Sequence, residues 1–313
     1  MKFIRYFFLI SLSIFCLPMF YSYSQNEDTL SPGEHYAVIN GVKLWYLVRG
    51  EGPVLLFHPG GAGWGGDASP YIETLKPLEK ERTVVYLEPR GIDHSERLID
   101  STAYSMEEYV EETEALRRYF GLKKIAIAGH CYGGFIAMKY AIKFPDNVER
   151  LLLLNTTPHV LLGDYDTWQK SREGYDEAIS KEKLVDWKKL TPDEMLRTYY
   201  RIWIPVHHFR NYTNVSINFI DLLNNMIVSS KPTQYFVKHE RNTYDIRGDI
   251  ENITVPTLIV VGDDDLPHMK IGSQLLQERI PKSELVVIEN CGHWPFVEAP
   301  NEFFKKVFPF LSS

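Results

Sequence analysis

Cysteine is scarce in this chain: three residues in 313. Only Cys131 and Cys291 lie beyond the first 24 residues, and two thiols in a mature chain of this length make no disulfide framework. Repeats, heptads and low-complexity tracts are missing, which sets aside solenoids, coiled coils and disordered tails. Positive charge is also short, with 34 Lys and Arg against 41 Asp and Glu. A chain of net charge −7 is a poor partner for nucleic acid and other polyanions. No apolar run is long enough for a clear transmembrane helix. The one at residues 6–20 is short for a span of about 20 residues and contains Pro18. Lys2 and Arg5 precede it and Ser22-Tyr23-Ser24 follows it. That order reads as a signal peptide over 1–24, cleaved near Ser24, against the alternative of an uncleaved anchor. Cleavage removes two positive charges and no negative one, giving −9. The expectation is an exported protein, periplasmic or secreted, with no stable membrane association.

What is present is an alternation of strand and helix signals. Asn40-Gly41 joins two β-rich runs and predicts a hairpin. The apolar run "VLLFHPGG" and its counterpart "TVVYLEPRG" suit strands buried on both faces. "SMEEYVEETEALRRYFGL" predicts an amphipathic helix with Ser105 as N-cap, Glu108 closing a capping box and Gly121 at its end. Further strand–helix pairs continue to about residue 160 and resume near 248. The fold class is therefore α/β, a mostly parallel sheet flanked by helices. Its core comprises residues 25–159 and 248–313. The polar, aromatic and helix-prone stretch 160–247 is read as a helical cap. Its aromatics, among them Trp168, Trp187, Tyr199, Tyr200 and Trp203, are expected to form the cap's own core and in part to line an apolar substrate pocket.

Three pieces carry chemistry. Gly129-His130-Cys131-Tyr132-Gly133-Gly134 stands between a strand and a helix. It has the form of a nucleophile elbow, a tight turn that tolerates only small residues at Gly129 and Gly133. The helix beyond offers free N–H groups to developing negative charge. Asp263, Asp264 and Asp265 close a later buried strand, and Gly292-His293 follows the next. Nucleophile, acid and base thus occur in α/β-hydrolase order.

On these motifs the chain is similar to the α/β-hydrolase fold superfamily over nearly all of residues 35–312. His58-Pro59-Gly60-Gly61 matches the family's oxyanion loop, and "GHWPFVEAP" matches its histidine loop. "EPRGIDHS" matches Asp-x-Arg-Gly-x-Gly-x-Ser, with Glu88 and Asp93 departing from it. The spacing in that family selects Asp265 as the acid. The resemblance implies attack by Cys131, proton removal by His293, orientation by Asp265, and an oxyanion held by the amides of Tyr132 and Gly60 or Gly61. Cysteine in this place resembles dienelactone hydrolases and polyhydroxyalkanoate synthases, although the rest of the chain is closer to the capped group containing proline iminopeptidases.

The expected activity is hydrolysis of an ester, lactone, thioester or amide on a small-molecule acyl substrate, with no metal and no organic cofactor. An acyltransferase using the same residues and a non-catalytic binding protein remain alternatives. Cys291 is expected to be core filler, with a Cys131–Cys291 disulfide left open. His130 is read as a packing residue, His58 as bonded to backbone, and His207-His208 as a surface pair. Asp263 and Asp264 are expected to cap and solvate their loop, with either as an alternative to Asp265. Asn155, Asn211, Asn214 and Asn252 begin Asn-x-Ser/Thr triplets that carry no weight here.

Overall fold

The computed structural model describes residues 29–61 and 67–312; the proposed signal peptide lies outside them. Eight strands form one sheet in the order β1-β2-β4-β3-β5-β6-β7-β8. They are β1 (Gly33–Ile39), β2 (Val42–Arg49), β3 (Val54–His58), β4 (Thr83–Glu88), β5 (Ile125–His130), β6 (Val148–Leu154), β7 (Thr257–Gly262) and β8 (Ser283–Ile288). β1 and β2 are the predicted hairpin, with Ile39 opposite Val42 and both Asn40 and Gly41 at positive φ, as a two-residue primed turn requires. β2 pairs antiparallel with β4, and every later pairing is parallel. The central strands β5 and β7 are buried along their whole length, whereas the edge strands β1 and β8 partly alternate. That contrast follows from helices covering both faces of the sheet's centre.

In chain order the helices are α1 (Ser69–Thr74), α2 (Met106–Tyr119), α3 (Tyr132–Lys143), α4 (Tyr165–Lys170), α5 (Tyr175–Lys183), α6 (Pro192–His207), α7 (Ile217–Asn225), α8 (Ser230–Tyr235), α9 (Pro267–Arg279), α10 (Pro295–Glu298) and α11 (Pro300–Ser312). Ser105 caps α2 by accepting from the Glu108 amide at 3.3 Å. Glu108 does not complete a capping box. Its carboxylate turns to Arg90 Nη1 at 2.9 Å, a charge-assisted bond that outcompetes a neutral amide. A capping box does form at α6, between Thr191 and Glu194.

α4 to α8 form the segment between β6 and β7. It has a small cluster of its own, Ala178, Trp203 and Val206. Tyr200, Ile204, Phe219, Leu223 and Met226 instead join the large cluster that contains Tyr71 and Trp294. This apolar contact sets the segment against the carboxyl ends of the strands. Polar ties hold its flanks: Arg97 to Asp193 at 3.1 Å and the Ile227 amide to Asp67 at 3.1 Å. Among the described residues no helix is long and apolar enough to cross a membrane.

Candidate active site

The turn from β5 to α3 is one residue wide, and that residue is Cys131, at φ 53° and ψ −117°. Side chains avoid this region, and holding one there costs about 1–3 kcal/mol. Three bonds retain it. The Cys131 amide donates to Leu154 O at 2.9 Å, while its carbonyl accepts from the Gly134 amide at 3.0 Å and Thr156 Oγ1 at 2.8 Å. The glycines have a steric reason. A Cβ on Gly129 would meet Gly133 O at 2.3 Å, and one on Gly133 would meet His58 O at 2.3 Å. The thiol is half-buried, against Val261, Leu266 and Met269 of the β7–α9 region.

Asp265 follows β7 and is fully buried. Its Oδ1 accepts from His293 Nδ1 at 2.8 Å and the Leu266 amide at 2.7 Å, and its Oδ2 from Asn155 Nδ2 at 2.8 Å. Because the carboxylate can only accept, His293 carries a proton on Nδ1, and Cys131 is close enough for its charge to act on the ring. Burial alone would lower the His293 pKa, but the charges of Asp265 and Cys131 raise it to about 10. His293 lies between two further imidazoles, His130 at 4.6 Å and His208 at 4.8 Å between ring centres. Burial, and after it the charge on His293, holds both neutral by pushing their pKa values well down.

The other two aspartates of the loop have separate tasks. Asp264 pairs with Arg172, which also donates to Val206 O and Phe209 O in the helical segment. Asp263 accepts from the Cys291 amide at 3.2 Å. Cys131 and Cys291 are both free thiols.

Two readings from the sequence need correction. His207 and His208 are not a surface pair. His207 is buried and stacked on Trp203, and His208 O accepts the His293 amide at 2.7 Å, because α6 delivers this corner onto the histidine loop. Among the described residues the partner of His58 Nε2 is a side chain, Thr113 Oγ1 at 3.0 Å; the Thr113 hydroxyl donates to Tyr109 O, so its oxygen is left to accept. The Gly60 amide, among those expected to hold an oxyanion, donates to Tyr71 Oη at 2.9 Å. Gly60 still demands glycine, since a Cβ there would lie 3.3 Å from Cys131 Cβ.

Several supporting residues were missed in the sequence. Asn155 shows in the sequence only as the start of a glycosylation triplet. Its side chain is fully buried at positive φ under Asp265 and bonds Gly292 O as well, so it takes no glycan. Its position directly after β6 was the signal available. Glu298 bridges the Gly292 amide (2.7 Å) and the Arg210 amide (2.8 Å), tying the histidine loop to the helical segment. Glu88 and Asp93, where the chain departs from the family pattern, and His94 beside them bring three ligand-type atoms within 4.8 Å. Glu88 Oε2 already accepts from the His94 amide and Oε1 from the Ala68 amide, so the group serves as a tie between loops.

Relatives agree with this architecture. Proline iminopeptidase PfmaB of Pestalotiopsis fici is 28% identical over 280 residues, covering 87% of this chain and 97% of that protein. The proline iminopeptidase of Saccharolobus solfataricus is 24% identical over 302 residues, covering 93% and 96%. Among solved structures, an enol-lactonase from Burkholderia xenovorans superposes with a TM-score of 0.67 at 21% identity, covering 89% of this chain and all of the other (100%). A proline iminopeptidase from Mycobacterium smegmatis gives 0.66 at 19% identity, covering 89% and 97%. The family described as alpha/beta hydrolase fold matches residues 53–300, and with the strand order and elbow above, this chain belongs to it.

Proposed function

We propose that this protein is an acyl hydrolase in which Cys131 is the nucleophile, His293 the base and Asp265 the residue that orients it. The observation that carries the reading is Cys131 itself, a side chain held at positive φ beside an imidazole whose far nitrogen meets a buried carboxylate. A His293 pKa of about 10 keeps the imidazole protonated at neutral pH, so sulfur attacks the carbonyl carbon with its proton already held on His293. The amides of Tyr132 and Gly61 receive the oxyanion, each such donor being worth about 3–4 kcal/mol. His293 then protonates the leaving alcohol, thiol or amine, and a thioester remains. Water attacks it, giving a proton to His293 and releasing the acid and the free thiol.

The proline iminopeptidase relatives direct the first substrate panel to N-terminal amino-acid amides, alongside simple esters and lactones. We read the stretch 160–247 as the cap that selects the acyl group, and residues 1–24 as an export signal. Intact-mass spectrometry after exposure to the panel is the test. A retained acyl mass on Cys131 that is absent from Cys131→Ala supports the reading; a panel that leaves the mass unchanged and is not turned over sinks it.

A further inference from the structure

His130 and Tyr71 are buried polar side chains for which the proposed chemistry has no direct use. Their hydrogen bonds form one continuous path. The Gly60 amide meets Tyr71 Oη at 2.9 Å, Tyr71 Oη meets His130 Nδ1 at 2.9 Å, and His130 Nε2 meets the His293 carbonyl at 2.8 Å. The chemistry allows only one polarity. A carbonyl can only accept, so His130 Nε2 carries the proton. His130 is neutral, so its Nδ1 accepts and the Tyr71 hydroxyl donates to it. The hydroxyl oxygen is then free to accept from Gly60.

We propose that Tyr71 and His130 are positioning residues that hold the amide-bearing loop after β3 in register with the loop carrying His293. The inference rests on the hydrolase reading above. Both ends of the path lie at Cys131: a Cβ on Gly60 would sit 3.3 Å from Cys131 Cβ, and the charge of Cys131 acts on the His293 ring. The hydroxyl of Tyr71 is not there for packing. Its ring already stacks on Trp294 at 5.3 Å and meets Phe57 at 4.8 Å, contacts a phenylalanine would keep. What the hydroxyl adds is one acceptor and one donor, each matched to a group 2.9 Å away. In a close-packed site a loss of register of about 1 Å costs on the order of 10²-fold in rate. A relay that fixes the Pro59–Gly60 peptide plane therefore acts on the direction of the next amide, Gly61.

Tyr71→Phe, His130→Gln and the double variant test this, with acylation followed by stopped flow and active sites counted by the retained acyl mass. The relay predicts that Tyr71→Phe lowers kcat about 10²-fold per titrated site with KM and Tm little changed. The double variant should be no worse than the poorer single one, because both break the same path. Histidine-labelled ¹⁵N spectra should show His130 protonated on Nε2 alone, with its Nδ1 resonance moved by Tyr71→Phe. A Tyr71→Phe protein with wild-type kcat, or His130 protonated on Nδ1, overturns the relay while leaving the hydrolase reading intact. Wild type that forms no acyl-enzyme overturns the hydrolase reading, and the positioning role falls with it.

Discussion

The two cysteine-bearing turns of this molecule hold the same functional group in opposite states. Cys131 follows β5 at positive φ, half-buried, and its charge acts on the His293 imidazole. Cys291 follows β8 and is fully buried, and its Sγ donates to Ile288 O at 3.4 Å. Burial first, and then the charges of Glu298 and Asp263, push its thiol pKa far up. Both cysteines lie one or two residues from a histidine in sequence. Proximity along the chain therefore says little about reactivity. The direction of the turn decides which thiol meets an imidazole and which meets a carbonyl.

The largest break in that comparison is Cys131→Ala. It should abolish acyl-enzyme formation and lower kcat by on the order of 10⁶, while circular dichroism and Tm stay near wild type. Next comes Asp265→Asn, which should reduce kcat by on the order of 10⁴ by favouring the wrong tautomer of His293. The same variant tests linkage. The folded His293 pKa, about 10, lies above its unfolded value near 6.5. Its stabilising share is therefore complete below about 6.5 and fades as pH rises to about 10. Thermal melts should show that alkaline loss in wild type and a flatter slope in Asp265→Asn; equal slopes would refute the assignment.

A smaller effect separates the floor of the Cys131 turn from its surface. Burial lowers the His58 pKa to about 4, below its unfolded value, so His58 withdraws stability as pH falls from about 6.5 to 4. Glu88 and Glu112, raised to about 7 mainly by burial, act in the opposite sense over much of that range. The measurement is accordingly the difference in acid slope between wild type and His58→Gln, which should melt less steeply with falling pH. The smallest effect belongs to Cys291→Ala. It should cost about 1 kcal/mol in a denaturant titration and leave kcat unchanged. Iodoacetamide should label one site in both wild type and Cys291→Ala, and a second rapid label in wild type would erase the contrast between the two turns.

The legible parts of this protein were those in which local chemistry and fold demand the same residues. Asn40-Gly41 could serve only as a hairpin turn, and the uninterrupted apolar runs at β5 and β7 only as buried strands. Gly129 and Gly133 were readable because a single Cβ at either place collides with backbone. Asn155, Tyr71 and His208 were not. Each acts on a residue more than 50 positions away, Asn155 on Asp265, Tyr71 on His130 and His208 on His293. Glu108 shows the same limit at short range, since its expected local bond gave way to Arg90.

The sequence by itself determined the strand–helix alternation, the elbow between β5 and α3, and the order of nucleophile, acid and base, because periodicity and steric exclusion act between near neighbours. Only the tertiary structure decided which group takes the Gly60 amide, which bonds hold Asp265 in place, and which histidines flank His293. Those choices depend on the directions in which side chains leave separate strands, and directions become defined only when the sheet brings its strand ends together.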